Sequence, residues 1–253
     1  MNRRDLLVPA CAIALVALMA GPVGAQTSGK FVDRLYFQLD AGAQTATPRF
    51  TSNVTFKLNG EDGSFTARYR FVSAIAVAAR AGVRVGGNLG LGVGVSRFVR
   101  QGEATVAAAL PHPFFFNRPR NVTGVASDLK REETMVSAEL AWLLRPRRKL
   151  DVMLFAGPAY FTTRQAMATR PRYTETYPFD TATFVGVDAQ TVNKAGVGFT
   201  AGFDVSYRLS KRVGIGSLIR YSRAMATFSA APGSNARVTL GGVQATAGLR
   251  VGF

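Results

Sequence analysis

Cysteine, histidine and tryptophan are each used once in these 253 residues, and acidic side chains are scarce, with 15 Asp and Glu against 31 Lys and Arg. Cys11 sits in the first apolar run, so the residues after it hold no thiol for a disulfide or a cysteine metal site. His112 lies between Pro111 and Pro113, and the nearest following serine is Ser127. A nucleophilic triad needs a histidine beside a serine and a carboxylate, and a metal site needs clustered ligands. Neither pattern is present, so no catalytic residue, no metal ligand and no cofactor is expected, and the chain is read as a non-enzyme. Long apolar runs are also missing apart from Leu6–Ala20, which is shorter than the ~20 residues a spanning helix needs. Charged residues make up only 18% of the chain, below the usual ~25%.

Basic charge and glycine are present instead. The net charge of +16 suits nucleic acid or the phosphates of acidic lipid and lipopolysaccharide. The first residues favour the second partner. Arg3 and Arg4 precede the apolar run, Gly21-Pro22 breaks it, and Val23-Gly24-Ala25 supplies small residues for cleavage. Residues 1–25 are therefore expected to be a cleaved signal peptide, and 26–253 one exported domain. No nucleic-acid partner is expected of an exported chain.

Alternation with period two recurs along that domain and marks strands with one apolar and one small or polar face. Val243, Ala245, Ala247, Leu249, Val251 and Phe253 share a face, against Gln244, Thr246, Gly248, Arg250 and Gly252. Seven further segments behave alike, beginning near Leu35, Phe71, Leu89, Val136, Leu150, Val197 and Val213. Between them, short connections (Gly86-Gly87-Asn88, Arg145–Lys149, Ser210–Arg212) alternate with longer ones, including 101–132 and 164–194. Residues 54–71, turning at Asn59-Gly60, read as a hairpin extension of the first long loop that merges into the second strand. The glycines of Leu89–Ser96 lie within unbroken alternation and precede no helix, so they read as small interior residues rather than a phosphate loop. The fold expected is all-β: an eight-stranded antiparallel up-and-down transmembrane β-barrel with short periplasmic turns and long extracellular loops.

With the apolar face towards lipid, the lumen receives Asp40, Arg80, Arg84, Glu139, Asp204, Arg220 and Arg250. Buried charges need partners, so a plugging ion-pair network is expected, with Glu139 as its central acid. A gated pore or a proton path is the functional alternative. The sharpest loop feature is the aromatic and basic set Phe114, Phe115, Phe116, Arg118 and Arg120, either a partner contact or a lid over the mouth. Arg97, Arg100, Lys130, Arg131, Arg164, Arg170 and Arg172 read as outer-loop charge suited to an anionic surface.

The signal peptide, the eight segments, the loop asymmetry and the terminal Gly-Leu-Arg-Val-Gly-Phe together resemble the small eight-stranded outer-membrane barrels: the OmpA transmembrane domain, OmpX and the opacity-type adhesins. The resemblance implies location in a bacterial outer membrane. It implies Phe253 as the assembly signal read by the barrel-assembly machinery, and contact with outer-membrane lipid and lipopolysaccharide. It also implies a structural or surface-interaction role with an extracellular ligand. The alternative is a narrow small-solute channel of the OmpW type. Since the barrel is followed by nothing that resembles the peptidoglycan-binding domain of OmpA, cell-wall tethering is not expected.

Overall fold

The computed structural model describes residues 34–45, 49–147, 149–229 and 236–253. The expected signal peptide and the loop around Pro232–Asn235 lie outside the described residues. Among the described residues ten strands follow one another: β1 (Leu35–Gln44), β2 (Phe50–Leu58), β3 (Glu61–Phe71), β4 (Ala74–Gly86), β5 (Leu89–Leu110), β6 (Arg120–Arg147), β7 (Leu150–Glu175), β8 (Ala182–Arg208), β9 (Val213–Phe228) and β10 (Ala236–Gly252). All pairings are antiparallel. They trace a ring from β1 through β4, β5, β6, β7, β8, β9 and β10 back to β1. The hairpin of β2 and β3 is not one of those eight strands; β3 pairs with the far half of β5, beyond the part that β4 covers, and continues the wall there. Its turn uses Asn59 and Gly60, both at positive φ, which suits the twist of a two-residue hairpin.

Two expectations are corrected here. Residues 101–132 and 164–194 are largely strand rather than loop, because β5 to β8 run on as strands of 22, 28, 26 and 27 residues. Phe71, expected on the outward face of the second strand, ends β3 and is buried; the chain breaks at Val72-Ser73 before β4 begins. Both follow from one fact: the faces of the sheet exchange chemistry part of the way along it.

On β5 the outward residues are Leu89, Leu91, Val93 and Val95, then Arg97, Val99, Gln101, Glu103 and Thr105, with no change of parity. Inward, Gly90, Gly92, Gly94 and Ser96 give way to Phe98, Ala104, Val106, Ala108 and Leu110, with only Arg100 and Gly102 between. Near the short turns the ring is therefore apolar outside and polar inside; towards the long hairpins it is polar outside and apolar inside. The apolar interior joins Phe50, Phe65, Tyr69 and Phe71 of the added hairpin with Val106, Val122, Leu129, Phe161, Met167, Phe228, Val238 and Leu240. A soluble barrel has this arrangement, and burial of each such side chain is worth roughly 1.5–3 kcal/mol. Tyr69 and Phe50 stack at 4.5 Å, and the Tyr69 hydroxyl accepts the Ala168 N–H at 2.9 Å, tying β3 to β7.

Large lumen side chains explain the small residues beside them. A Cβ on Gly94 would meet Ser137 Oγ at 2.8 Å and Glu139 Oε1 at 2.9 Å. Glycine there lets the carboxylate lie against the β5 backbone. Gly241 and Gly242, both at positive φ, mark the level on β10 where inward Val238 and Leu240 give way to inward Gln244 and Thr246.

Candidate functional site

The lumen near the short turns holds two ion-pair clusters. Arg80 on β4 donates through Nε to Glu139 Oε2 at 2.9 Å and through Nη1 to Gln38 Oε1 at 3.1 Å, with its guanidinium 3.7 Å over the Phe155 ring. Ser137 donates to Glu139 Oε1 at 2.7 Å. In the second cluster Arg250 bridges two acids: Nη1 to Asp40 Oδ1 at 2.6 Å and Nε to Asp204 Oδ2 at 3.0 Å. These pairs are fully or nearly fully removed from solvent. Each ion carries a desolvation cost of several kcal/mol that only close, multiply bonded partners offset.

Two residues expected in the network sit differently. Arg220 forms no ion pair with a carboxylate among the described residues and donates to Gln244 Oε1, with Nε at 3.1 Å. Arg84 lies at the tight turn and donates to Gly87 O at 2.6 Å. The glutamines Gln38, Gln44 and Gln244 were missed by sequence reasoning. Their inward parity was available, but an amide carries no formal charge to mark it as the partner of an arginine.

Arg100 and Arg131, read from sequence as outer-loop charge, point into the lumen and are 3% and 0% exposed. The reason is parity: Arg100 continues the inward series of Gly90–Ser96. Counting in twos past Ser96 would have found it. Arg131 donates to Glu133 Oε2 at 3.0 Å, and Glu133 Oε1 accepts the Gly241 N–H at 2.8 Å.

Outside, the sheet shows ordered rows. Val95, Val136, Tyr160 and Val197 lie side by side. Two residues further along the strands come Arg97, Thr134, Thr162 and Ala195, then Val99, Glu132, Arg164 and Asn193. Arg97, Glu132, Arg164, Asn193 and Lys194 line an open recess of about 580 Å³. Arg97 reaches Glu132 at 3.2 Å and Lys130 reaches it at 2.7 Å. The Lys130 hydrogen bond, assisted by the fields of Arg97 and Arg164, holds the Glu132 carboxyl below its ordinary pKa. Exposed aromatics frame the apolar rows, with Trp142, Tyr207 and Phe253 near the short turns and Tyr160, Phe199 and Tyr221 at the other edge. The Phe253 backbone closes on β1, its N–H donating to Leu35 O at 2.9 Å.

At the far end three tips meet. His112 Nδ1 accepts the N–H groups of Phe114 and Phe115 at 3.1 and 3.2 Å, and Nε2 lies 3.7 Å from Asp180. Arg118 pairs with Asp180 at 3.2 Å, and Arg120, buried, pairs with Glu175 and donates to Phe179 O at 3.0 Å. Asn117 N–H donates to Glu61 at 2.8 Å, which adds the β2–β3 tip. Phe114, Phe115 and Phe116 are 66%, 54% and 76% exposed and project from this junction rather than packing over the mouth. Arg120 thus serves the junction, while the exposed Phe114 and Tyr177 both lie against Phe179, at 5.6 and 6.1 Å, and Phe115 lies 4.9 Å from the His112 ring.

Comparison with known proteins gives the fold alone. No family model matches, and no curated protein matches by sequence. Among solved structures, the Escherichia coli outer-membrane protease OmpT superposes with a TM-score of 0.50 at 9% identity, over 91% of this chain and 100% of that one. OprG, an outer-membrane protein of Pseudomonas aeruginosa, gives 0.48 at 12%, covering 87% and 97%. Neisserial surface protein A gives 0.43 at 13%, also covering 87% and 97%. The chain has the fold of a small outer-membrane β-barrel.

Proposed function

We propose that this protein is an outer-membrane barrel whose eight ring strands cross the bilayer, short turns in the periplasm and long hairpins outside, with a structural and surface-interaction role. The observation that carries it is the row-by-row change on the outer face, from Val95, Val136, Tyr160 and Val197 to Arg97, Glu132 and Arg164. From Leu89 to Arg97 a strand climbs roughly 27 Å, or about 20 Å along the barrel axis at the usual tilt, of the order of the ~25 Å apolar band of such barrels. An apolar exterior over a charged interior is stable in lipid and costly in water. The inverted half beyond it suits an aqueous exterior.

In this reading the leader at residues 1–25 exports the chain, and Phe253 offers the terminal aromatic to the barrel-assembly machinery. The recess of Arg97, Arg164 and Lys194 meets lipopolysaccharide phosphate at the upper edge of the bilayer. The aromatic tip faces an extracellular ligand. A non-catalytic role is part of the proposal: His112 is occupied in holding a turn, and the protease activity in the name of OmpT belongs to that protein. The ion-paired lumen favours a plug over a small-solute channel.

Single-channel recording of the refolded protein in planar bilayers, beside a gel comparing heated and unheated samples, tests this. A heat-modifiable but electrically silent barrel is expected. Discrete, reproducible openings would overturn the plug; absence of heat-modifiability in protein refolded into lipid would overturn the barrel in the bilayer.

A further inference from the structure

Arg100 on β5 and Arg131 on β6 are directly paired across the antiparallel ladder, and Gln165 on β7 is the partner of Arg131 in the next pair. All three face inward and are buried. Like charges directly opposite one another repel, and here water cannot screen them. Glu133 is the only carboxylate against them among the described buried residues at this level. Deeper in the lumen, Arg80, Arg220 and Arg250 are balanced by Asp40, Glu139 and Asp204. The level of Arg100, Arg131 and Glu133 is left with one positive charge in excess.

The hydrogen bonds tell the same story. Among the described residues Arg100 donates only through Nη1, to Thr45 O at 3.4 Å; its Nε and Nη2 have no acceptor there. Arg131 uses Nη2 for Glu133 and Thr239 O, while its Nε and Nη1 have no acceptor among the described residues. The Thr163 hydroxyl, also buried, is unpartnered as well. Guanidinium faces lie over Phe98, at 4.2 Å for Arg100, and Phe71, at 5.8 Å for Arg131, which confines both forks from the sides. Leaving a buried donor without an acceptor costs about 1–3 kcal/mol, and more when it is charged.

We propose that a small inorganic anion of the halide class binds between Arg100 and Arg131, in the layer that separates the ion-paired lumen from the apolar half. It accepts from the Nε–Nη2 edge of Arg100 and from Nη1 of Arg131. It cancels the excess charge and converts a repulsive cross-strand pair into a bridged one. The amide of Gln165 does not replace it: its nitrogen donates to Ala166 O, and its Oε1 takes no hydrogen bond from either arginine among the described residues.

The test uses the refolded barrel in detergent, with chloride, bromide or gluconate at one ionic strength. Halide is expected to raise the unfolding midpoint over gluconate, by an amount that grows with halide concentration as linkage requires. Arg100→Gln, which removes the repulsion, is expected to fold and to lose the halide dependence. Crystals grown in bromide should show anomalous density between the two guanidiniums. Midpoints equal in gluconate and halide, an Arg100→Gln barrel that keeps the dependence, or bromide confined to the outer surface would each overturn the site. Should Arg100→Gln fail to fold, the bromide density in the unaltered protein decides.

Discussion

Arg97 stands two residues beyond Val95 on the same outward face of β5, and between them the surface passes from hydrocarbon-like to charged. The step recurs on β6 and β7, where Val136 gives way to Thr134 and Glu132, and Tyr160 to Thr162 and Arg164. Replacing Arg97, Arg164 and Lys194 together by alanine should leave the barrel folded. It should weaken its stabilisation by lipopolysaccharide by tenfold or more in apparent affinity, at about 1 kcal/mol per basic residue near an anionic surface. Thermal unfolding with and without added lipopolysaccharide, at low and high salt, checks this; an unchanged shift would remove the recess from the lipid contact.

Inside, Glu139 is the acid that neutralises Arg80. Glu139→Ala leaves a buried guanidinium uncompensated and should cost about 3–5 kcal/mol, seen as a lower midpoint in urea. Arg80→Met combined with Glu139→Leu should recover much of the loss, because it removes both charges. A double variant no better than Glu139→Ala would show that the pair is not the dominant partnership there.

Burial raises the Tyr69 phenol to about 12 despite the Ala168 N–H, which favours its ionised form. A folded pKa above the unfolded value of about 10 means that the folded state holds the proton longer. Stability from this group is complete below pH 10 and declines as pH rises from 10 to 12. Tyr69→Phe should flatten that decline, while at neutral pH it lowers stability by about 1–3 kcal/mol because the Ala168 N–H loses its acceptor. Equilibrium unfolding between pH 8 and 12 measures both effects.

The aromatic tip separates contact from support. Changing Phe114, Phe115 and Phe116 to serine should leave the unfolding midpoint within ~0.5 kcal/mol, as expected for exposed positions. Arg120→Ala should loosen the tip junction, because Glu175 and Phe179 O lose their partner. If the serine variant keeps binding to whole cells or matrix while Arg120→Ala loses it, recognition rests on the junction and not on the rings.

What could be seen in the sequence was set by solvent contrast. Val243–Phe253, Leu35–Ala43 and Leu89–Ser96 alternate between apolar and small or polar residues, so strand, face and lumen charge were readable there. In 101–132 and 164–194 alternation continues, but its apolar members are modest residues such as Ala104, Val106 and Ala108, and the outward ones are polar. With polarity reversed, these stretches imitate loops. Asp128, at positive φ where the β5–β6 register shifts, also breaks the count in twos. The docking of His112 and Arg120 onto the 175–180 tip is long-range and left no local trace.

The length of β6 has a consequence for distance. Its span from Thr134 to Arg120 extends roughly 48 Å along the strand, or about 35 Å along the axis at the usual tilt. A paired sheet with a packed interior does not fold over as a free loop would, so the phenylalanine rings are carried outward on a stiff column. Their height is set by counting residues: a matched deletion of two residues from each of two paired strands would lower that part of the rim by about 5 Å without changing which face each side chain occupies.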